Sequence, residues 1–267
     1  MNEDMKEFIT GMAKDAGKIA LDCMGRAKVS TKSIKNIVTE ADVAVEKFII
    51  TRIKERFPGH NLVLEEHDDE ENESEFTWYI DPIDGTTNYS HGDPHFAVSI
   101  GVAKNNVLRY ACIFIPMMNE LYYAEQGEGA FLNGKRISVS NVDELDKAII
   151  QIGVSPLKNA IDDSLNVFRH FMLIAQRSRD MGFCAGQLAY VAAGRSDGFI
   201  KKSQKSWDIA AGMLLVTEAG GRVTDFEGKD METITSGKHN LIASNNLIHD
   251  HIMSEYDKLE KKDEEWY

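Results

Sequence analysis

The segment that most constrains this chain runs Phe76-Thr77-Trp78-Tyr79-Ile80-Asp81-Pro82-Ile83-Asp84-Gly85-Thr86-Thr87-Asn88. Its first five residues have the aromatic and β-branched composition of a buried strand. They lead directly into two carboxylates, Asp81 and Asp84, separated by Pro82-Ile83. Pro82 has a fixed φ and no N–H, so it pins a turn. Gly85 allows a close backbone approach. The free N–H groups of Gly85-Thr86-Thr87 would cradle a phosphate if they start a helix. Any fold that accepts this segment must bury a strand and bring hard oxygen ligands to its end. Hard oxygens, a fixed turn and an anion nest together suit a Mg²⁺–phosphate site. The plain alternative is an acidic turn that closes a strand, and Asp-x-x-Asp-Gly alone does not choose between them.

The spacing disfavours one phosphatase chemistry. Haloacid-dehalogenase-type enzymes use Asp-x-Asp-Gly-Thr, with the first Asp as nucleophile. Here the residue two before Asp84 is Pro82, which cannot be phosphorylated, and Asp81 lies one position too far away. A covalent aspartyl-phosphate route does not fit.

The flanking sequence sets the scaffold. Phe8, Ile9, Met12, Ala13, Ile19, Ala20 and Cys23 recur at helical spacing, which predicts a helix over 3–24 with Gly25 ending it. Val45, Phe48, Ile49 and Ile53 predict a second over 40–56, stopped by Phe57-Pro58-Gly59. Leu62 to Leu64 reads as a short strand. Eight of residues 65–75 are acidic, and Asp68 to Glu75 reads as a solvated loop. A β meander follows: 96–103, 107–115, 120–124 and 131–137, with Asn133-Gly134 as a hairpin signal. Beyond Asp143 the pattern alternates. Strands are expected at 148–154 and 198–200, and helices at 163–174, 188–193, from Trp207 to Gly220-Gly221, and 246–262.

The 267 residues suffice for one large domain or two intimate subdomains. The net charge of −13 opposes nonspecific binding to nucleic acid or anionic membranes. A phosphate substrate would then need a positive receiver, and bound metal ions supply one. No run of about 18 apolar residues predicts a membrane helix. The opening residues are acidic and lack signal-peptide order, so a cytoplasmic location is expected. Cys23, Cys112 and Cys184 are widely spaced and without a CxxC pair, which predicts free, mostly buried thiols. His60, His67, His91 and His95 do not have metal-cluster spacing and read as surface or structural.

Asp81 to Asn88 resembles the signature of the inositol monophosphatase family, and four further segments resemble that family in order and spacing. These are Val38-Thr39-Glu40-Ala41-Asp42; Leu64-Glu65-Glu66-His67; Gly129-Ala130-Phe131-Leu132-Asn133-Gly134; and Trp207 to Gly212 with Glu218-Ala219-Gly220-Gly221. The resemblance implies the family's layered α/β fold, of the inositol monophosphatase/fructose-1,6-bisphosphatase type. Residues 1–142 would form an α+β part carrying most metal ligands, and 143–267 an α/β part closing the site, in one compact unit. Glu65, Asp81 and the Ile83 carbonyl would hold one Mg²⁺. Asp81, Asp84 and Asp208 would hold a second, and a third, weaker ion would bind near Glu65. Thr86 and Asp42 would activate water. Asp84, Gly85, Thr86, Gly182, Cys184, Lys201 and Asp208 would contact a small phosphorylated polyol or sugar. The resemblance also implies a homodimer.

Each residue has a plainer reading from its own surroundings. Glu65 sits in an acidic run, and Glu66 is the register alternative. Asp208 reads as a helix cap, and Thr39 and Asp42 as capping residues of the 40–56 helix. Three departures from the family pattern bear on the pocket. Leu64 and His67 stand where a Gly and a small residue are usual. Phe183 and Cys184 bulk up a Gly-Ser/Thr-Ala-Ala turn. Lys201, seven before Asp208, stands where animal members carry Glu. The lysine either favours a doubly anionic substrate (fructose 1,6-bisphosphate, adenosine 3′,5′-bisphosphate or NADP) or points to solvent with Lys202 and Lys205, and the sequence does not choose between the two. A rival of another class is a regulatory protein that keeps the fold, since some bacterial members act on transcription complexes.

Overall fold

The computed structural model describes residues 3–26, 29–33, 36–154 and 160–264. Helix α1 (Glu3–Cys23) is followed by the hairpin β1 (Val29–Ser33) and β2 (Asn36–Thr39), then helix α2 (Glu40–Arg56). Strands β3 (Asn61–Leu64) and β4 (Phe76–Asp84) precede a single helical turn, α3 (Thr86–Ser90). The meander β5 (Ala97–Lys104), β6 (Val107–Ile115), β7 (Glu120–Glu125), β8 (Gly129–Leu132) and β9 (Lys135–Ile137) completes a sheet in the order β3-β4-β5-β6-β7-β8-β9. Its β3–β4 pair is parallel and the other pairs are antiparallel.

The second half supplies β10 (Ile149–Ile152), α4 (Ile161–Ile174), β11 (Arg177–Arg179), α5 (Cys184–Ala192), β12 (Gly198–Lys205), α6 (Ser206–Glu218), β13 (Arg222–Thr224), β14 (Lys238–Ser244) and α7 (His249–Glu264). Its sheet runs β11-β10-β12-β14-β13, with β10 parallel to both neighbours and β14 antiparallel to both of its own.

Strand periodicity explains the stacking. In β5, Val98, Ile100 and Val102 join the core formed with α1 and α2, while Ala97 and Ala103 join the core formed with α5 and α6. In β12 and β14, Phe199, Leu241 and Ala243 face that same middle core. Ile200 and Ile242 face a third core, with Phe171 of α4 and Ile252 of α7. The result is five layers: helices, sheet, helices, sheet, helices. Helix α6 lies close on β5 at Gly101, where a Cβ would stand 2.8 Å from the Ala210 Cβ. Asn133-Gly134 turns the β8–β9 hairpin with both φ positive, at 49° and 77°.

Several elements depart from the sequence expectation. Strand β4 continues through Asp84 rather than stopping at Ile80. Strand β12 runs to Lys205 because its polar half pairs with the polar start of β14 past an irregularity between Lys201 and Gln204. The hairpin β1–β2 and strands β11, β13 and β14 lack a strong apolar signal and were not expected. The acidic loop is tied down at two points. Asp69 Oδ1 accepts the Leu64 N–H at 2.9 Å, and Glu70 exchanges backbone hydrogen bonds with Leu62. His60 is structural: it stacks between Phe57 and Phe76 and accepts from Trp78 Nε1. Cys112 and Cys184 are buried, Cys23 is partly exposed, and all three are free thiols.

Candidate metal centre

The end of β4 positions the two signature carboxylates. Asp81 pairs with Ser99 of β5, but Asp84 pairs with Ala97, so three steps on β4 oppose two on β5. That irregularity falls at Pro82, which has no N–H for the ladder. Gly85 then takes φ +88°, and a Cβ there would meet the His95 carbonyl oxygen at 2.8 Å and the Phe183 Cβ at 2.9 Å. Only glycine turns the chain so tightly at this point.

Asp81 is 2 % exposed and Asp84 5 %. Helix α6 delivers Asp208 beside them from its first turn, where Oδ2 also accepts the Lys205 N–H at 3.0 Å. The start of α6 is held to β5 by the Ser99 hydroxyl, 3.5 Å from the Trp207 carbonyl. Asp208 is thus not the N-cap, which is Lys205, but sits three residues in and holds the Lys205 amide, and the same carboxylate also faces Asp81. Burial, followed by the charges of Glu65, Asp84 and Asp208, holds the Asp81 carboxyl well above the ordinary range. Burial and then Asp208 push Asp84 up to about 7. Burial raises Asp208 to about 6, against the Lys205 N–H and the charges of Lys201 and Lys205. Of the two register candidates, it is Glu65 whose charge and hydrogen bond reach Asp81.

The oxygens differ in what they already hold. Asp84 Oδ1 accepts the Cys184 N–H at 2.7 Å and Oδ2 the Gly186 N–H at 3.1 Å, so this side chain caps α5. Asp81 Oδ1 is buried with no hydrogen-bond partner. Among the described residues, no three of His, Cys, Asp and Glu are placed so that they could hold a metal ion.

Thr86 opens α3 with its hydroxyl 3.2 Å from Asp42 Oδ1 and 3.2 Å from the Ile83 carbonyl. Asp42 is fully buried, and its Oδ2 accepts from Thr39 N at 2.9 Å and Thr39 Oγ1 at 2.5 Å. Thr39 and Asp42 form a capping box on α2. The capping reading of these two residues thus holds, and the Thr86 contact is additional. Burial raises the Asp42 carboxyl, and the Thr39 hydrogen bonds partly offset it.

Around these acids lie the other expected contact residues. Gly182 is exposed, with φ +70°. The Cys184 amide is committed to Asp84. The Phe183 ring packs inward on Gly186, Tyr190 and His95, so its bulk fills core and not the cleft. The Lys201 stem crosses Gly153, where a Cβ would overlap it, and its charge reaches Asp208 and Cys184. Its neighbours are engaged elsewhere: Lys202 pairs with Asp163, and Lys205 lies over the Trp207 ring. Sequence reasoning missed Glu46, a fully buried carboxylate beneath the Glu65 loop. The available signal was an acid on the apolar face of α2, between Val45 and Ile49.

A profile described as the inositol monophosphatase family matches residues 1–261. A Thermotoga maritima protein named fructose-1,6-bisphosphatase/inositol-1-monophosphatase is 36 % identical over 252 residues, covering 94 % of each chain. A Pseudomonas aeruginosa protein named Nus factor SuhB is 40 % identical over 225 residues, 81 % of this chain and 83 % of its own. The solved structure of a Thermotoga maritima IMPase superposes with a TM-score of 0.89 at 35 % identity, covering 97 % of this chain and 99 % of its own. A structure described as IMPase/NADP phosphatase complexed with Mg²⁺ and phosphate shares the fold at 22 % identity, with a TM-score of 0.83 and 95 % of each chain covered. With the five-layer fold, these matches establish that the chain belongs to the inositol monophosphatase family.

Proposed function

We propose that the chain is a Mg²⁺-dependent phosphomonoesterase acting on a small phosphorylated polyol or sugar. Glu65, Asp81, the Ile83 carbonyl, Asp84 and Asp208 would hold two ions, with Asp81 shared between them and a third ion near Glu65. The observation that carries this reading is the buried Asp81, within reach of the charges of Glu65, Asp84 and Asp208 and with one oxygen unpartnered. Four anionic side chains in one place repel each other, and divalent cations offset that cost. Magnesium held there supplies a Lewis acid that lowers the pKa of water and balances phosphate charge.

The chain's own residues supply the rest. The Thr86 hydroxyl accepts a proton from the attacking water and passes its own to Asp42 Oδ1, 3.2 Å away. Burial of Asp42 favours its holding that proton. Attack on phosphorus breaks the ester P–O bond; the leaving alkoxide takes a proton from solvent water and departs as the alcohol, and inorganic phosphate remains. Gly85, Thr86, Gly182, Cys184 and Lys201 line the approach to the acids. Phosphate release from a panel of phosphomonoesters in Mg²⁺, with and without Asp84→Asn, tests the assignment. Asp84→Asn is expected to cost about 100-fold or more, since a metal centre contributes several kcal/mol. Activity unaffected by that change would sink the metal assignment. Absence of phosphate release from the wild-type chain would favour the regulatory reading that the Nus factor name of the Pseudomonas relative suggests.

Lys201 favours a substrate with a second negative group. Its stem lies over the space left by Gly153, and its charge reaches Asp208, as that of Lys205 also does. The Thermotoga relative's double name accords with such a substrate. Turnover of inositol 1-phosphate and fructose 1,6-bisphosphate by wild type and Lys201→Glu decides. The variant should lose the bisphosphate about 10-fold or more relative to the monophosphate, as expected for one charge contact in a partly buried site. An unchanged ratio removes Lys201 from substrate selection.

A further inference from the structure

Glu46 is fully buried on α2 and belongs to none of the groups already assigned. Its carboxylate faces the chain where it leaves β3. Oε1 accepts the Glu65 N–H at 2.9 Å and the Glu66 N–H at 3.1 Å. Oε2 accepts the His67 N–H at 2.9 Å, shares the Glu66 N–H at 3.2 Å, and lies 2.6 Å from His67 Nδ1. Three consecutive amides and one imidazole therefore converge on one side chain. Successive N–H groups wrapped around an anion form a nest, ordinarily filled by a ligand. Here the protein supplies the anion itself.

Consecutive N–H groups directed at one point leave the backbone of residues 65–67 little freedom. The Glu65 side chain is the one that reaches Asp81. A buried carboxylate receiving this many hydrogen bonds is held firmly, because each charge-assisted bond is stronger than a neutral one. His67 fits the same scheme. It stands where the family pattern has a small residue, and its ring adds a further hydrogen bond to the clamp.

We infer that Glu46 is a positioning residue for the metal centre: it fixes the backbone of the 65–67 loop so that Glu65 is presented ready to bind metal, and His67 reinforces it. This rests on the metal reading of the preceding section. It predicts an effect on ion affinity through loop order, without Glu46 touching ion or substrate. The closest known type of effect is loss of an outer partner of a metal ligand, which weakens metal binding by about 10- to 100-fold.

The test uses the full chain and Mn²⁺ as probe, with free Mn²⁺ followed by electron paramagnetic resonance. Amide hydrogen exchange at residues 65–67 is measured in parallel. Glu46→Gln keeps the shape but turns an amide NH₂ toward N–H donors. It is expected to weaken Mn²⁺ binding about 10- to 100-fold and to speed exchange at 65–67. His67→Ala should move both readouts less, in the same direction, and stands in if Glu46→Gln does not fold. Ile49→Val, buried on the same helix, should lower the melting temperature and leave both readouts unchanged. Unchanged exchange at 65–67 in Glu46→Gln overturns the inference, because any weaker Mn²⁺ binding is then loss of a nearby charge. Equal weakening in Ile49→Val also overturns it, because the effect is then general stability. A wild-type chain that binds no Mn²⁺ overturns the metal reading itself.

Discussion

Asp84 has two duties in one side chain. Its oxygens cap α5 through Cys184 and Gly186, and its charge stands against Asp208. Those duties set a pH dependence. A carboxyl raised from 3.8 to about 7 binds its proton more tightly folded than unfolded. The metal-free fold therefore loses stability as pH rises from about 4 through about 7. Bound Mg²⁺ must displace that proton, and the one that burial keeps on Asp208 up to about 6. The rise in melting temperature produced by Mg²⁺ over EDTA should thus be large at pH 8 and shrink as pH falls through 7 to 6. A rise that stays constant over that range contradicts the acid cluster as the binding site. Asp81 and Asp84 were readable as candidates because two acids ending a buried strand stand out in sequence, whereas Asp208 read as a helix cap and became a candidate through the family resemblance. Glu46 was not, because its place on the apolar face of α2 signals burial but not the three amides of residues 65–67 that it receives.

At the scale of elements, the site depends on how closely α6 lies on the first sheet. Gly101 is the point of contact: an added Cβ would stand 2.8 Å from the Ala210 Cβ and 3.1 Å from the Ala211 nitrogen. Backbone on both sides leaves no flexible side chain to yield. Gly101→Ala should cost about 1–3 kcal/mol in urea unfolding, the usual range for overpacking. It should also weaken Mg²⁺ binding, since α6 carries Asp208. A cost near zero would show that α6 slides freely and that the contact does not set Asp208. The same long-range dependence explains which elements were readable. Helix α2 announces itself with Thr39 at its N-cap and Phe57-Pro58-Gly59 at its end. Helix α5 does not, because its capping carboxylate is Asp84, a hundred residues earlier. The expected start at Leu188 was therefore late by one turn. The polar halves of β12 and β14 became strands only by pairing with each other.

At the scale of the molecule, the five layers bring acids from distant segments together. Asp42 comes from α2, Glu65 from the end of β3, Asp81 and Asp84 from β4, and Asp208 from α6. The middle core joins both sheets through α5 and α6, so Asp208, from the second half, is carried by a helix packed on the same core as the first sheet. The net charge of −13 favours cations over anions near the chain as a whole. Sequence pattern conveyed the order of elements and their amphipathic faces. It did not convey which strands of the second sheet are neighbours, because parallel pairing through crossovers leaves no local signal. The central claim is that the carboxylates around Asp81 gather magnesium to release phosphate. It is tested most directly by phosphate release titrated with Mg²⁺, in wild type and Asp81→Asn. The account predicts release that needs Mg²⁺, vanishes in EDTA, and falls about 100-fold or more in Asp81→Asn at every Mg²⁺ concentration. Release that persists in EDTA, or an Asp81→Asn variant as active as wild type, would contradict it.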